Sequence, residues 1–261
     1  MAPPMIICSW NMLYRNRELD RAFTFIAESE FDVFCLQEVP EDFLARLHTL
    51  PYHLASHIEV DRLLPNGTAH TYGVILSKNE ITSKGEIPFD EYWSRLPFRT
   101  LLFVHFMPSR FFSKIGNRSG LFVDILQDGQ SLRVFNLHLV LAQPAWRLAE
   151  FERAMEKRNT AQPTIVCGDF NIIENPFIGL LNWILGGRIS DTFFYRRERT
   201  TIEKHFISHK LTNALRGKVT HPFSHSQLDH ILFSHSFSLK NTEVLPDSIG
   251  SDHRPIRVEI E

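Results

Sequence analysis

Residues 164–171, TIVCGDFN, form an apolar run that ends in a carboxylate and a carboxamide. Apolar runs elsewhere in the chain also end in a polar residue, at Asn11, at Glu38 and at His138. Each run has the length and composition of a buried β-strand, and each polar residue is of a type that binds metals or moves protons. The repetition predicts that several strands end at a shared functional site.

Two further runs are reversed, with the polar residues at their beginning. Asp229-His230 precedes one apolar run, and Asp252-His253 precedes another. If strands of this second kind lie antiparallel to those of the first kind, all the polar groups gather at one edge of a mixed sheet. We therefore expect an active site at that edge.

The composition is that of a soluble globular protein, with 43% apolar and 22% charged residues among 261. Because no low-complexity linker divides the chain, we expect residues 1–261 to form a single catalytic domain. The 22 Phe predict a strongly aromatic core. With a net charge of −2 there is no overall positive field, so an anionic substrate must meet a local basic patch.

The three cysteines, Cys8, Cys35 and Cys167, all lie within apolar runs. This placement favours buried thiols in a reducing compartment over disulfides. The sequence has no signal-peptide pattern and no apolar run long enough to span a bilayer. We expect a cytoplasmic protein without stable membrane insertion and see no evident protein partner; a trimmed leader or leaderless export are the alternatives.

The beginning of the chain alternates strands and helices, which is typical of an α/β protein. Helices are predicted at 18–29 and 40–49, on either side of a strand at 31–37. Short turns then join a series of strands, which favours antiparallel pairing; these strands are predicted at 52–59, 72–77, 85–89, 99–106, 120–127 and 132–138.

The second half resumes with a helix at 143–158, a strand at 163–168 and a helix at 176–186. An irregular polar stretch follows, before closing strands at 229–234, 237–244 and 254–260. These elements predict two mixed sheets packed face to face, with helices on the outside.

Two stretches are candidate substrate-binding loops because they are locally basic. Residues 107–120 combine basic and aromatic residues, and residues 186–218 carry eight Lys/Arg against three acidic residues. For any single residue a solvated surface position is an equal alternative, but the clustering favours contact with phosphate. The candidate substrate-binding residues are Arg110, Lys114, Arg118, Arg196 and Arg197.

Hydrolysis of a phosphate ester needs neutralised non-bridging oxygens, a positioned water and a stabilised leaving oxygen. Hard oxygen ligands suit Mg²⁺ or Mn²⁺. Glu38 is the strongest candidate ligand, and its alternative role is that of an acidic residue at the beginning of a helix. Asp169 and Asn171 share one face of an extended segment, where they can orient a water and accept its proton; a turn is the alternative.

The remaining candidates are two histidines and the carboxylates expected beside them. Asp252-His253 can place a carboxylate near the metal and an imidazole near the phosphate, while Asp229 can fix the tautomer of that imidazole. His138 is an unusual choice for plain packing at the end of a strand. The other histidines are expected at the surface or in the core.

The order of these motifs resembles the endonuclease/exonuclease/phosphatase superfamily, with its DNase I-like fold, over essentially the whole chain. The elements that match are residues 9–11 (SWN), 36–39 (LQEV), 136–139 (NLHL), 168–171 (GDFN), 228–231 (LDHI) and 251–255 (SDHRP). The resemblance implies a four-layer α-β-β-α sandwich of two mixed sheets, with a divalent-metal site at one edge.

The resemblance also implies roles for the site residues. Glu38 would bind the metal with Asn11 and Asp252 close to it. The attacking water would be positioned by residues 169 and 171. His253, paired with Asp229, would contact the scissile phosphate, and His138 stands where DNase I-like members carry a histidine.

Signature residues of two branches of the superfamily are missing. After the Gly-Asp-x-Asn element, inositol polyphosphate 5-phosphatases carry Tyr-Arg and the tyrosyl-DNA phosphodiesterase branch carries Leu-Arg-Asp. This sequence has Ile172-Ile173 at that place. The sequence therefore predicts a Mg²⁺- or Mn²⁺-dependent phosphodiesterase of nuclease type, acting on nucleic acid. The alternatives are a phosphatase or phospholipase acting on a small-molecule or lipid phosphoester and, last, an inactive binding scaffold.

Overall fold

The computed structural model describes residues 4–64, 67–106, 114–127 and 129–261. In these ranges the chain forms strands that build two sheets. In chain order the strands are β1 (Met5–Asn11), β2 (Val33–Pro40), β3 (His53–Leu64), β4 (Gly67–Ser77), β5 (Ile81–Pro88), β6 (Lys114–Gly116), β7 (Ser119–Gln127), β8 (Gln130–His138), β9 (Thr164–Asp169), β10 (Leu211–Asn213), β11 (Asp229–Ser234), β12 (Leu239–Val244) and β13 (Ile256–Ile260).

Helices cover the outer faces of the two sheets, so that the layers follow the order α-β-β-α, as the sequence predicts. The α-helices are α1 (Leu19–Glu28), α2 (Glu41–Leu47), α3 (Phe98–Phe106), α4 (Pro144–Met155), α5 (Pro176–Ile184), α6 (Ile189–Phe193) and α7 (Tyr195–Ser208).

Both sheets are mixed. The first has the strand order β12-β13-β1-β2-β4-β3-β6, and the second has the order β10-β11-β9-β8-β7-β5. Strand β1 is parallel to β2 and antiparallel to β13, while β9 is parallel to β8 and antiparallel to β11. Strands that end in polar residues therefore lie beside strands that begin with them, as predicted, and the polar groups share one edge.

Three large apolar clusters hold the layers together. Aliphatic side chains such as Ile7, Ile165 and Ile231 fill the space between the two sheets. Cys35 and Cys167 lie in the same cluster, and all three cysteines are buried and free. Both outer clusters, between sheet and helices, contain several aromatic rings; examples are Trp10, Phe34 and Phe43 in one, and Phe151, Phe170 and Phe206 in the other.

One buried carboxamide ties the two sheets together close to the polar edge. Asn136 of β8 donates from Nδ2 to the backbone oxygens of Leu36 (2.8 Å) and Val74 (3.0 Å) in the first sheet. Its Oδ1 accepts a hydrogen bond from Gln37 Nε2 at 2.7 Å. Since Asn136 is almost fully buried, these bonds are shielded from water, and they set how the sheets face each other.

Two sequence predictions of local structure are wrong. Residues 99–106, predicted as a strand, form helix α3; a short run of Leu, Phe and Val fits either element, and here Leu101 N–H bonds back to Pro97 O. The irregular stretch after residue 186 contains α6, α7 and β10. Helix α7 buries Ile202 and Phe206, four residues apart, and exposes Arg196, Arg197 and Lys204, as an amphipathic helix does.

We expect Asn136→Ala to destabilise the fold, because the two carbonyl oxygens and the Gln37 amide would lose their partner in a buried place. The free energy of unfolding should fall by about 2–4 kcal/mol, measured by urea denaturation. Asn241→Ala, at an exposed position on β12, is the matched control and should change little. Equal stability of the two variants would show that the tie contributes nothing.

Candidate active site

The polar edge surrounds a cleft of about 460 Å³ that both sheets line. Seven of the eight residues predicted to act on metal, water or phosphate are found there. They are Asn11, Glu38, His138, Asp169, Asn171, Asp252 and His253. Asp229, the eighth, lies fully buried behind His253.

Glu38 reaches the cleft because strand β2 is irregular at this point. The pairing of β2 with β4 shifts between Leu36 and Val39, and Glu38 has a φ of 55°. A bulge of this kind redirects a side chain at the cost of backbone strain. The Glu38 carboxylate accepts a hydrogen bond from Tyr14 N–H (3.1 Å) and lies 3.3 Å from Arg62 Nη2.

Asp169 and Asn171 follow a glycine that the sheet requires. Gly168 has a φ of 139°, and a Cβ there would come within 1.8 Å of Leu137 O, so no other residue fits. Asn171 has a φ of 53°, and its N–H donates to Asp169 Oδ1 at 2.9 Å. The other carboxylate oxygen, Asp169 Oδ2, accepts from Asn11 Nδ2 at 3.0 Å. Burial raises the pKa of Asp169, against the effect of neighbouring imidazoles.

His253 lies between two buried carboxylates. Its Nδ1 donates to Asp229 Oδ2 at 2.9 Å, and its Nε2 lies 3.7 Å from Asp169 Oδ2. Burial lowers the pKa of His253, but Asp229 and Asp169 outweigh it and raise the value to about 10. The imidazole is therefore a cation at neutral pH and faces the cleft.

His138 forms a second cationic imidazole through a partner that the sequence analysis missed. Its Nδ1 donates to the buried carboxylate of Glu59, and its Nε2 lies 3.6 Å from Asp169 Oδ2. Burial lowers the pKa of His138, while Glu59 and Asp169 raise it to about 9. Glu59 also accepts the N–H of Glu38 at 3.1 Å and so joins the two halves of the cleft.

Asp252 is the most exposed acid of the cleft. Its Oδ2 lies 3.6 Å from Nε2 of His221, whose ring stacks obliquely against that of His253 at 4.8 Å. Burial raises the pKa of Asp252, but His221 and His253 hold it at about 2. Among the described residues, ligand atoms are close enough to hold one metal ion in two groups, His221-Asp252-His253 and Asp169-Asp229-His253; Glu38 is in neither group.

The predicted substrate-binding residues are distributed differently. Arg118 lines the cleft but is buried in an ion pair with Glu150, and it donates to His138 O at 2.8 Å. Arg196 and Arg197 are exposed on α7 and do not line the cleft. Lys114 begins β6, but its side chain is outside the described part of the chain, as is the whole of Arg110.

Three residues at the cleft have no role in the sequence interpretation. Glu59 carried a detectable signal, because it alternates with Ala55 and His57 on the buried face of a strand. Arg62, whose guanidinium stacks on Tyr14 at 3.7 Å, and His221 reach the cleft by long-range folding, and no local pattern distinguishes them.

The family model described as the Endonuclease/Exonuclease/phosphatase family matches residues 8–253. The chain therefore belongs to the endonuclease/exonuclease/phosphatase family, and it is a hydrolase that acts on phosphoesters. No curated protein matches the sequence.

Solved structures show the same fold. An endonuclease/exonuclease/phosphatase family protein from Leptotrichia buccalis has a TM-score of 0.65 at 16% identity, covering 98% of this chain and 99% of that chain. The Bacteroides thetaiotaomicron mannosyl-6-phosphatase has a TM-score of 0.61 at 18% identity, with coverage of 98% and 99%. A 3′ phosphatase from Neisseria, bound to a product DNA hairpin, has a TM-score of 0.59 at 20% identity, again with coverage of 98% and 99%. At these identities the likeness establishes the DNase I-like fold alone.

We expect Glu59→Gln to lower the pKa of His138 below about 9, because the variant removes the charge that most strongly raises it. At pH values between the two pKa values, the imidazole would be charged in the unmodified protein and neutral in the variant. A pH titration of the histidine ring signals by ¹H–¹⁵N NMR, without divalent cations, measures this. Glu41→Gln, at an exposed position, is the control; an unchanged His138 pKa in Glu59→Gln would contradict the ion pair.

Proposed function

We propose that residues 1–261 act as a single catalytic domain, a Mg²⁺- or Mn²⁺-dependent phosphodiesterase. The observation that carries the proposal is the surrounding of Asp169: one carboxylate oxygen accepts from Asn11 and lies within 3.7 Å of two cationic imidazoles, His138 and His253. A base and two cations in one cleft are the groups that attack on a phosphate by water requires.

The residues present fit a divalent metal ion. Glu38, Asn11 and Asp252 supply hard oxygen atoms from one cleft, which is the donor set that Mg²⁺ and Mn²⁺ prefer. Behind them, Oδ1 of Asp229 is buried without a hydrogen-bond partner among the described residues, so the acidic site has unused acceptor capacity. When bound, the metal would neutralise charge on the phosphate and stabilise the leaving oxygen.

Asp169 and Asn171 handle the attacking water in this proposal. Burial raises the pKa of Asp169 and so makes it a stronger base than an exposed carboxylate. Asn11 Nδ2 donates to Oδ2 of this carboxylate, and the Asn171 N–H donates to Oδ1. These two hydrogen bonds fix the orientation of the Asp169 carboxylate before substrate binds. The Asn171 side chain donates to Leu139 O at 2.9 Å, which holds the segment against the strand edge.

His253 and His138 attend to the phosphate. Both are held by buried carboxylates through Nδ1, which leaves each Nε2 directed toward the cleft. A cationic imidazole fixed in this way can donate a hydrogen bond to a non-bridging oxygen and stabilise the additional charge of the transition state. Asp229 and Glu59 are positioning residues, since they act through the histidines.

Two classes of phosphodiester are candidate substrates, nucleic acid and lipid. The DNA hairpin bound to the 3′ phosphatase from Neisseria supports nucleic acid. An apolar pocket that adjoins the cleft supports a lipid. A panel of plasmid, single-stranded DNA, RNA and phospholipids, each with and without EDTA, separates the two.

We expect Glu38→Gln to reduce hydrolysis of the soluble diester bis(p-nitrophenyl) phosphate by at least about a hundredfold. The change removes the charge of the main metal ligand but keeps its shape, so Mg²⁺ or Mn²⁺ binding, measured by calorimetry, should weaken in parallel. Glu41→Gln, three residues further on and exposed, is the matched control and should retain both properties. Unaltered activity of Glu38→Gln would refute the metal role; absence of metal binding by the unmodified protein would favour an inactive scaffold.

We expect Asp229→Asn to lower kcat about 10- to 100-fold, because His253 would lose the partner that orients it. The variant should also lower the pKa of His253, which Asp229 helps to raise to about 10. Because the cationic form is the active one, the loss of activity at high pH should move to lower pH in the variant. The pH dependence of kcat measures this, with exposed Asp20→Asn as control; an unshifted profile would exclude His253 as the titrating cation.

A further inference from the structure

An unusual amount of apolar surface is exposed on three helices, α3, α5 and α6. The side chains of Phe98, Phe106, Phe177 and Phe193 are between 74% and 81% exposed. Aromatic side chains are normally the ones a soluble fold buries, and the 22 Phe of this chain therefore do not all serve the core. We call this surface the apolar collar, and it also includes exposed Leu102, Leu180, Ile189 and Phe194.

The collar helices are joined by specific contacts. Thr100 of α3 donates from Oγ1 to Ile184 O at the end of α5, at 2.9 Å. Arg99 donates from Nε to Trp183 O at 3.0 Å, and its guanidinium stacks on the Trp183 ring at 4.6 Å. Helices α5 and α6 contact each other directly. The exposed apolar side chains are thus carried by one packed unit.

Arginines are the exposed charged residues on and just beyond α6, and within the three collar helices α6 carries one acid, the half-buried Asp191. Residues 96–106 and 176–190 contain no Asp or Glu. Arg188 is exposed at the beginning of α6, and Arg196 and Arg197 are exposed just beyond it on α7. Apolar helices bordered by arginines are complementary to an anionic lipid surface, which offers acyl chains to the first and headgroups to the second.

The collar is continuous with the catalytic cleft through an apolar pocket of about 170 Å³. Leu96, Thr100 and Val104 of the α3 region form one side of this pocket, and Leu185, after α5, contributes to it. It shares Ile115, Arg118, Val140 and Leu141 with the cleft, and Asp90, Glu91, Tyr92 and Ala142 complete its wall. Arg118 is neutralised by Glu150, so the passage between the two spaces suits an uncharged group.

We propose that the apolar collar docks the protein on an anionic phospholipid bilayer and presents the phosphodiester of a lipid to the cleft. This inference rests on the proposed phosphodiesterase function. A bilayer matches the three features of this surface. It offers an apolar phase to the phenylalanines, negative charge to the arginines and phosphodiesters to the cleft. A nucleic acid provides no apolar phase for the phenylalanines, and a second copy of this chain does not explain why the collar leads into the cleft.

The test uses the full chain and sedimentation with vesicles of phosphatidylcholine plus phosphatidylserine, compared with phosphatidylcholine alone. We expect binding to the mixed vesicles that weakens in salt. The double variant Phe98→Ser with Phe177→Ser should lose this binding, about tenfold or more for each ring removed. Ile207→Ser, at an apolar position on α7 that is 66% exposed and lies outside the collar, should bind as the unmodified protein does.

Hydrolysis of bis(p-nitrophenyl) phosphate separates the two proposals. The double variant should hydrolyse this soluble diester normally, since neither phenylalanine lines the cleft. Normal hydrolysis without vesicle binding by the unmodified protein overturns the docking proposal and leaves the phosphodiesterase function standing. The docking proposal is also overturned if the double variant still binds vesicles. It is likewise overturned if the double variant loses a dimer or DNA binding while its vesicle binding is unchanged.

Discussion

The active cleft depends on a single buried carboxamide, that of Asn136, which fastens one sheet to the other. The face-to-face packing of the sheets is mostly aliphatic, and aliphatic contacts alone do not fix how far one sheet slides over the other. Asn136 removes this freedom, because its hydrogen bonds to Leu36 O, Val74 O and Gln37 demand one relative position. Asn136 lies two residues before His138, and its partner Leu36 lies two residues before Glu38. This hydrogen bond therefore sets the distance between the metal side and the phosphate side of the cleft.

The charges in the cleft are balanced between buried carboxylates and the histidines beside them. Asp169 and Asp229 are withdrawn from water, which is costly for a carboxylate unless positive charge is near. His253 supplies that charge to both, and the carboxylates in turn keep its imidazole protonated. Glu59 does the same for His138. These three buried acids are therefore matched to histidines, and the pairs maintain two cations beside a base at neutral pH.

Much of this arrangement could be predicted from the sequence because it repeats a local rule. Strand ends carry polar residues, and the directions of β1, β2, β8 and β9 against β11 and β13 gather them at one edge. Residues contributed by tertiary packing could not be predicted: Arg62 and His221 enter the cleft from segments with no distinguishing pattern. The strand predicted at 99–106 is a helix, since the short apolar run at 101–104 fits both elements until its neighbours are known. Much of the basic stretch after residue 186 is helical, and in α7 the buried apolar residues Ile202 and Phe206 recur at helical spacing between the charges.

The left-handed backbone at Glu38 and Asn171 has a consequence for how the chain balances stability and function. Neither residue is a glycine, so each conformation costs about 1 kcal/mol or more, which glycine would avoid. The same irregular backbone lets both side chains line the cleft. Substitutions selected only for thermal stability would tend to remove the strain and the function together, and positions 38 and 171 are places where this fold is held away from its most stable sequence.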